Sequence, residues 1–177
     1  MITIIFETHA TSLDNEAGVV SGHYDTDLST LGEEQARELG ARYRDKKLSA
    51  VFCSDLKRSY ETAAIAFADS QEPIFTDSRL REVDYGFFTR HPQREVEPKK
   101  VAYVTKPFPN GESYEAAARR VKSFLQDLLA RHDGETVLVI GHRATQSALE
   151  HWVNGVPLAE AVAASWQWQA GWQYRLL

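Results

Sequence analysis

Residues 2–16 read ITIIFETHATSLDNE, a run of apolar and β-branched residues that ends abruptly in Glu7, Thr8 and His9 and passes into small hydroxyl residues. Two further runs share its character, SAVFCS at 49–54 and TVLVIGH at 136–142. Two-sided hydrophobicity of this kind suits strands covered on both faces, as in a parallel or mixed α/β sheet. Segments of helical period lie between them. STLGEEQARELGARYRDKK begins at Ser29, an N-cap residue type, and is expected to bring Leu31, Ala36, Leu39 and Tyr43 near one face. SDLKRSYETAAIAFADS repeats the pattern with Ile65 and Phe67, and GESYEAAARRVKSFLQDLLARHDG is the longest helix. ATQSALEHWVNG follows the third strand and should stop at Gly155. Weaker strands are expected at 73–77 and 165–177. The latter alternates Trp166, Trp168 and Trp172 with polar residues and reads as a strand pair around Ala170-Gly171. Strand and helix alternate throughout, which argues for a layered α/β domain.

The totals narrow the classes further. A chain of 177 residues is expected to form one domain, 1–177, with enough material for a sizeable core. The stretch 86–111, rich in Pro, Arg and Lys with interleaved aromatics, breaks the strand–helix rhythm. It reads as a loop-plus-short-helix insertion over one end of the sheet, covering the site. A net charge of −5 gives no general electrostatic reason to bind nucleic acid or an acidic membrane surface. Any anion site must therefore be built locally. Cys53 is the only cysteine, so no intramolecular disulfide can form. The start MITIIFETHA carries no basic leader, and no membrane-length apolar run follows. The expected location is the cytoplasm. The oligomeric state is not legible, and a homodimer is left open.

In open α/β sheets, ligands bind outside the carboxyl ends of the strands. The first strand delivers His9 there. The second ends in CSDLKR, with Arg58 one turn into its helix, and the third ends in Gly141-His142-Arg143. Each residue has a bland reading: a hydrogen-bonded structural histidine, a surface arginine, a solvated Glu82. Convergence of two imidazoles and two guanidinium groups on one sheet edge favours a site.

These blocks resemble the histidine phosphatase superfamily, the group of cofactor-dependent phosphoglycerate mutases and broad-specificity phosphomonoesterases. THATSLDN and SGHYDTDLSTLGEEQA occupy the layout of the family's Arg-His-Gly-Glu-Thr opening and the segment after it. SDLKRSYETA resembles its Ser-Asp-Leu-x-Arg-Ala-x-x-Thr-Ala, LREVDYG its Leu-x-Glu-x-x-x-Gly, NGESY its Gly-Gly-Glu-Ser, and VLVIGH its second-histidine strand. All appear in family order. The resemblance implies a phosphoglycerate mutase-like fold, a three-layer α/β/α sandwich around a central mixed, mostly parallel sheet. It also implies metal-independent phosphoryl transfer with no cofactor, acting on a small phosphorylated metabolite. His9 would be the nucleophile, giving a phosphohistidine that water then hydrolyses. Arg58 would clamp the phosphate, with Asn15, Ser21 and Gly22 as neutral donors and His142, if protonated, as a further charge. Glu82 would be the general acid for the leaving alkoxide and later the base for water, a role that requires a proton held near neutrality.

One departure bears on activity. Where the family has Arg-His-Gly, this chain has Thr8-His9-Ala10, preceded by Glu7. Loss of one preorganised donor from such a site costs roughly 10²–10³ in rate. Arg143 is the expected substitute from across the pocket, with Glu7 orienting an arginine or the His9 ring; Arg143→Ala should then weaken phosphate binding as much as Arg58→Ala. The competing reading is a catalytically idle phosphometabolite-binding relative in which Glu7 repels phosphate. A mutase-type phosphotransferase is the third, disfavoured because mutases of the family carry longer insertions over the pocket. No His-x-x-x-His or Cys-x-x-Cys spacing supports a metal site, and no Gly-x-Ser-x-Gly supports a serine hydrolase. Arg90, Arg94, Lys99 and Lys100 of the insertion could meet a second anionic group or form a solvated face. His23 could touch substrate or be a polar loop residue. The tryptophans read as core unless the terminal segment folds back over the sheet edge.

Overall fold

The computed structural model describes all residues, Met1–Leu177. Its strands are β1 (Ile2–Thr8), β2 (Ala50–Cys53), β3 (Ile74–Thr76), β4 (Thr136–Gly141) and β5 (Trp172–Leu176). They pair in the order β3-β2-β4-β1-β5, parallel throughout except for β5, which runs antiparallel to β1. The helices are α1 (Leu13–Glu16), α2 (Thr30–Tyr43), α3 (Lys57–Ala66), α4 (Gln93–Val96), α5 (Tyr114–Arg131), α6 (Arg143–Asn154) and α7 (Leu158–Ala163).

Side chains alternate across a strand, so β1 feeds two cores at once. Ile2, Ile4 and Phe6 pack with Val121, Phe124 and Leu125 of α5 and with Ala148 and Leu149 of α6. Ile5 packs on the opposite face with Leu39 and Tyr43 of α2 and Ala63 of α3. Helices therefore cover both faces, giving the expected α/β/α layering with a mixed, mostly parallel sheet. The three central runs read as strands because each is sealed on both sides.

Helix limits follow local chemistry. The Ser29 side chain accepts from the Gly32 N–H and starts α2; Ser113 does the same for α5 through Ala116. Gly155, at φ 72°, stops α6 in the left-handed conformation. Leu31 departs from expectation: the buried stripe of α2 is Gly32, Ala36, Leu39 and Tyr43, and Leu31 is exposed. It sits one residue ahead of that stripe, about 100° round the helix from Gly32.

The C-terminal strand pair is not formed. Only Trp172–Leu176 joins the sheet, along the free edge of β1, while residues 164–171 form an irregular strap. Gly171, at φ 70°, turns that strap into β5. In the 86–111 stretch, α4 and two 3₁₀ turns, Gly86–Phe88 and Glu97–Tyr103, pack on a separate apolar cluster that includes Val83, Tyr85, Val96 and Phe108. No helix is long and apolar enough to cross a membrane.

Candidate active site

Register brings the site together. Thr8 of β1 lies opposite Gly141 of β4, and the His9 N–H donates to the Gly141 carbonyl at 3.0 Å. His9 and His142, each the next residue after its strand, must then share one edge. Their ring centroids are 5.0 Å apart, with planes at 54°. They sit in a cleft of about 590 Å³ whose wall includes Thr8, Asn15, Ser21, Gly22, Arg58, Glu82 and Arg143. All nine residues to which the family resemblance or the missing arginine gave a role thus line the same cleft. Ala10 adopts no positive φ, so the methyl group that replaces glycine is accommodated there.

Each imidazole is set by a specific contact. His9 Nδ1 lies 2.7 Å from the Ala10 carbonyl. A carbonyl only accepts, so Nδ1 carries the proton and Nε2 keeps its lone pair. Burial, and then the charge of Arg58, lowers the His9 pKa to about 3. Ser54 Oγ holds His142 Nε2 at 2.6 Å, and His142 Nδ1 is buried with no partner. Burial, Arg58 and the neighbouring His9 push His142 well below its usual range. Both surroundings thus favour the neutral ring over the imidazolium.

Arg58 is 2% exposed and donates to the Gly22 carbonyl at 2.8 Å and the Tyr24 carbonyl at 3.1 Å. It is the one cation whose charge shifts His9. Arg143 stands farther out, donating to the Ala164 carbonyl at 3.3 Å and lying over the Trp166 ring. Glu82 Oε1 accepts from the backbone N–H groups of Val83 at 2.8 Å and Ala144 at 3.1 Å; Oε2 takes part in neither bond. Asn15 closes a capping box with Ser12, its Oδ1 accepting from the Ser12 N–H.

The SDLKRSYETA block now has a physical reading, because its polar residues tie α3 to the ends of β1 and β4. Ser54 bonds His142, Ser59 bridges the Ser54 N–H and the Ile140 carbonyl, and Thr62 accepts from the Ala10 N–H. Asp55 holds Arg81, next to Glu82, in a two-pronged pair at 2.7 Å on each side. Sequence reading missed Arg120. Its guanidinium donates to the carbonyls of Arg79, Arg81 and Glu82 and to Glu112, fixing the loop that carries Glu82. The Glu of NGESY is thus a brace for that loop.

Glu7 is 1% exposed and makes no hydrogen bond to His9. Its Oε1 accepts from Tyr43 Oη at 2.7 Å and Arg42 Nη2 at 3.2 Å, both from α2. Its negative charge is therefore met by an arginine that sequence reading had not placed in the cleft. Gln35, Glu38 and Arg42 line the wall from one stripe of α2, and Trp166 and Trp168 line it from the strap. Of the insertion cations only Lys100 reaches the cleft, where Glu97 pairs with it at 2.6 Å. Arg90 instead pairs with Asp14 and stacks on Tyr24, and Lys99 lies over Phe88. Arg94 is exposed outside the cleft. His23 donates to the Glu82 carbonyl at 2.7 Å and does not line the cleft. No three His, Cys, Asp or Glu side chains converge as a metal-ligand set.

The chain is similar to known proteins over most of its length. The profile of the histidine phosphatase superfamily (branch 1) matches residues 4–170. Phosphoserine phosphatase 1 of Hydrogenobacter thermophilus is 34% identical over 169 residues, covering 90% of this chain and 80% of that protein. The adenosylcobalamin/alpha-ribazole phosphatase of Escherichia coli is 28% identical over 162 residues, covering 87% and 79%. The structure of YhfR from Bacillus stearothermophilus superposes with a TM-score of 0.82 at 26% identity, covering 96% of this chain and 88% of that one. With the profile spanning nearly the whole chain, the protein belongs to branch 1 of the histidine phosphatase superfamily.

Proposed function

We propose that this protein is a metal-independent phosphatase that hydrolyses small phosphomonoesters through a phosphohistidine on His9. The observation that carries the reading is the His9 tautomer: with Nδ1–H held by the Ala10 carbonyl, Nε2 presents a lone pair beside His142 and Arg58. A neutral imidazole is the form that can attack phosphorus.

In the first step Nε2 bonds to phosphorus as the ester P–O bond breaks, and Glu82 gives the departing alkoxide a proton. In the second, Glu82 takes a proton from water, the hydroxide attacks phosphorus, and the N–P bond breaks to release inorganic phosphate. Such transfers depend on positioning and on neutralising charge at the phosphoryl oxygens. Arg58 supplies the guanidinium. Ser54, donating to His142 Nε2, would leave the proton on Nδ1 to meet a phosphoryl oxygen. Thr8, Asn15, Ser21 and Gly22 supply uncharged contacts, and Arg143 a cation on the outer wall.

Phosphate release from a panel of monoesters, measured with a chelator present and with His9→Ala alongside, tests the proposal. Turnover abolished by His9→Ala, together with acid-labile phosphate trapped on the native chain, is expected. Ligand binding without turnover of any ester would favour the idle relative. Transfer to a second metabolite with little free phosphate would favour the mutase.

A further inference from the structure

Trp166 and Trp168 are 39% and 57% exposed although both belong to the cleft wall. Indoles are bulky apolar groups, and two of them left open two residues apart in one strap call for an explanation. Packing does not provide it, since neither joins a core cluster. Both are nevertheless held. The Arg143 guanidinium lies 5.6 Å from the Trp166 ring centroid, and Arg42 lies 5.6 Å from that of Trp168. Arg42 is pinned in turn by Glu7, and Arg143 by the Ala164 carbonyl. Gly171 closes the strap against Tyr43, where a Cβ would come within 2.9 Å of the hydroxyl. The result is a pair of fixed, open aromatic rings facing a cleft whose deep end holds the imidazoles.

Size and charge narrow what such a wall can take. At about 590 Å³, the cleft falls in the range of pockets for drug-sized ligands, roughly 300–1,000 Å³. A leaving group of a few aliphatic atoms would leave both indoles wet. An ammonium group is disfavoured because a guanidinium already sits on each ring. A flat, uncharged ring can stack on them at no electrostatic penalty. Polar recognition is also at hand from α2: Glu38 is exposed with no ion-pair partner, while Gln35 spends its carbonyl oxygen on Thr11 and keeps its amide donor.

We propose that the alcohol portion of the substrate is a planar N-heteroaromatic of nucleoside size, stacked on the Trp166–Trp168 strap with its N–H donors toward Glu38. The inference rests on the phosphatase reading for the deep end of the cleft, and it assigns the outer wall to leaving-group choice. Base–aromatic stacking is worth roughly 5- to 150-fold in affinity per ring.

The test compares kcat/KM for adenosine 5′-monophosphate with that for O-phosphoserine and glycerol 3-phosphate, in the native protein, Trp168→Ala and Trp168→Phe. The expected result is preference for the nucleotide, a fall in the nucleotide-to-aliphatic ratio of roughly 5- to 150-fold in Trp168→Ala, and recovery in Trp168→Phe. In parallel, indole fluorescence of His9→Ala is titrated with the same nucleotide. Saturable quenching that disappears on adding Trp168→Ala is expected. Aliphatic preference, an unchanged ratio in Trp168→Ala, or no quenching in His9→Ala would each overturn the assignment. Quenching without hydrolysis of any ester would support the stacking wall while overturning the phosphatase reading.

Discussion

Lowering the pH from 7.5 to 5.0 should destabilise the fold by about 2 kcal/mol through His9 alone. The ring has a pKa of about 3 in the folded protein, against 6.5 for an unperturbed histidine, because it is buried and stands beside Arg58. Above pH 6.5 it is neutral in both states and contributes no pH dependence. Below pH 6.5 the unfolded chain takes up a proton that the folded chain refuses, so stability is lost progressively as pH falls toward about 3. At pH 5.0 this proton raises the ratio of unfolded to folded chains roughly 30-fold, which is about 2 kcal/mol. His142, lowered by the same burial and the same guanidinium, adds to the loss in the same direction. Urea denaturation at both pH values in phosphate-free buffer, for the native protein and His9→Gln, isolates the term. Groups away from the pair titrate alike in both proteins, and His142, whose shift comes first from burial and then from Arg58, is lowered in both, so the native chain should lose about 2 kcal/mol more than the variant. Equal losses, or an imidazole resonance of His9 that titrates near 6.5, would refute the reasoning. The proposed chemistry shares this consequence: with His9 as nucleophile, the acid limb of kcat/KM should not report a histidine of ordinary pKa.

Other perturbations separate clamp, brace and strap. Arg58→Lys keeps the charge but loses the planar fork and leaves the Gly22 or Tyr24 carbonyl without its donor; kcat/KM should fall roughly 10²–10³-fold and vanadate inhibition should weaken in parallel. Arg120→Ala releases the Arg79, Arg81 and Glu82 carbonyls, so Glu82 should drift and kcat should fall by up to about 10²-fold with KM little changed. A rise in KM at constant kcat would show that the loop positions substrate rather than the acid. Gly171→Ala must hold a methyl group at φ 70° against the Tyr43 hydroxyl, and should cost about 1–2 kcal/mol in urea denaturation. A silent Gly171→Ala would mean that the strap adjusts freely.

Sequence carried the parts of this architecture that depend on local pattern. Sealed strands appear as unbroken apolar runs, and Ser29 and Gly155 mark helix ends by their own hydrogen-bonding and backbone preferences. His9, Arg58, Glu82 and His142 were legible because strand ends and family blocks place them independently of the intervening chain. What was not legible depends on contacts between distant residues. Glu7 shares the His9 side of β1, but its partners Arg42 and Tyr43 come from α2, and no spacing rule reaches across that interval. Arg120 looks like any charged residue of α5, and its role exists only because three carbonyls of a distant loop fall under it. The 165–171 segment has a strand's alternation, yet β5 alone takes the free edge of β1. Its tryptophans face the cleft instead of a partner strand.

Thr8, uncharged, stands before His9 in a cleft of mixed charge. Arg42, Arg58, Lys100 and Arg143 line it together with Glu7, Glu38, Glu82 and Glu97, so its formal cations and carboxylates balance. Two of the cations are already committed, Arg42 to Glu7 and Lys100 to Glu97. Both surroundings favour a neutral imidazole, and only Arg58 bears on His9. On the proposed function, a phosphoryl group entering the deep end would meet one guanidinium and a set of uncharged donors. Attraction for phosphate is correspondingly local, and it cannot come from a generally positive cavity. Binding energy that a second arginine would have given to every phosphate ester must then come from the part of the substrate that differs between esters. In this protein the groups free to supply it are on the outer wall: Arg143, the α2 stripe and the two open indoles. On the proposed reading, Thr8 where the resemblance implies an arginine leaves discrimination to the leaving group more than to the phosphorus.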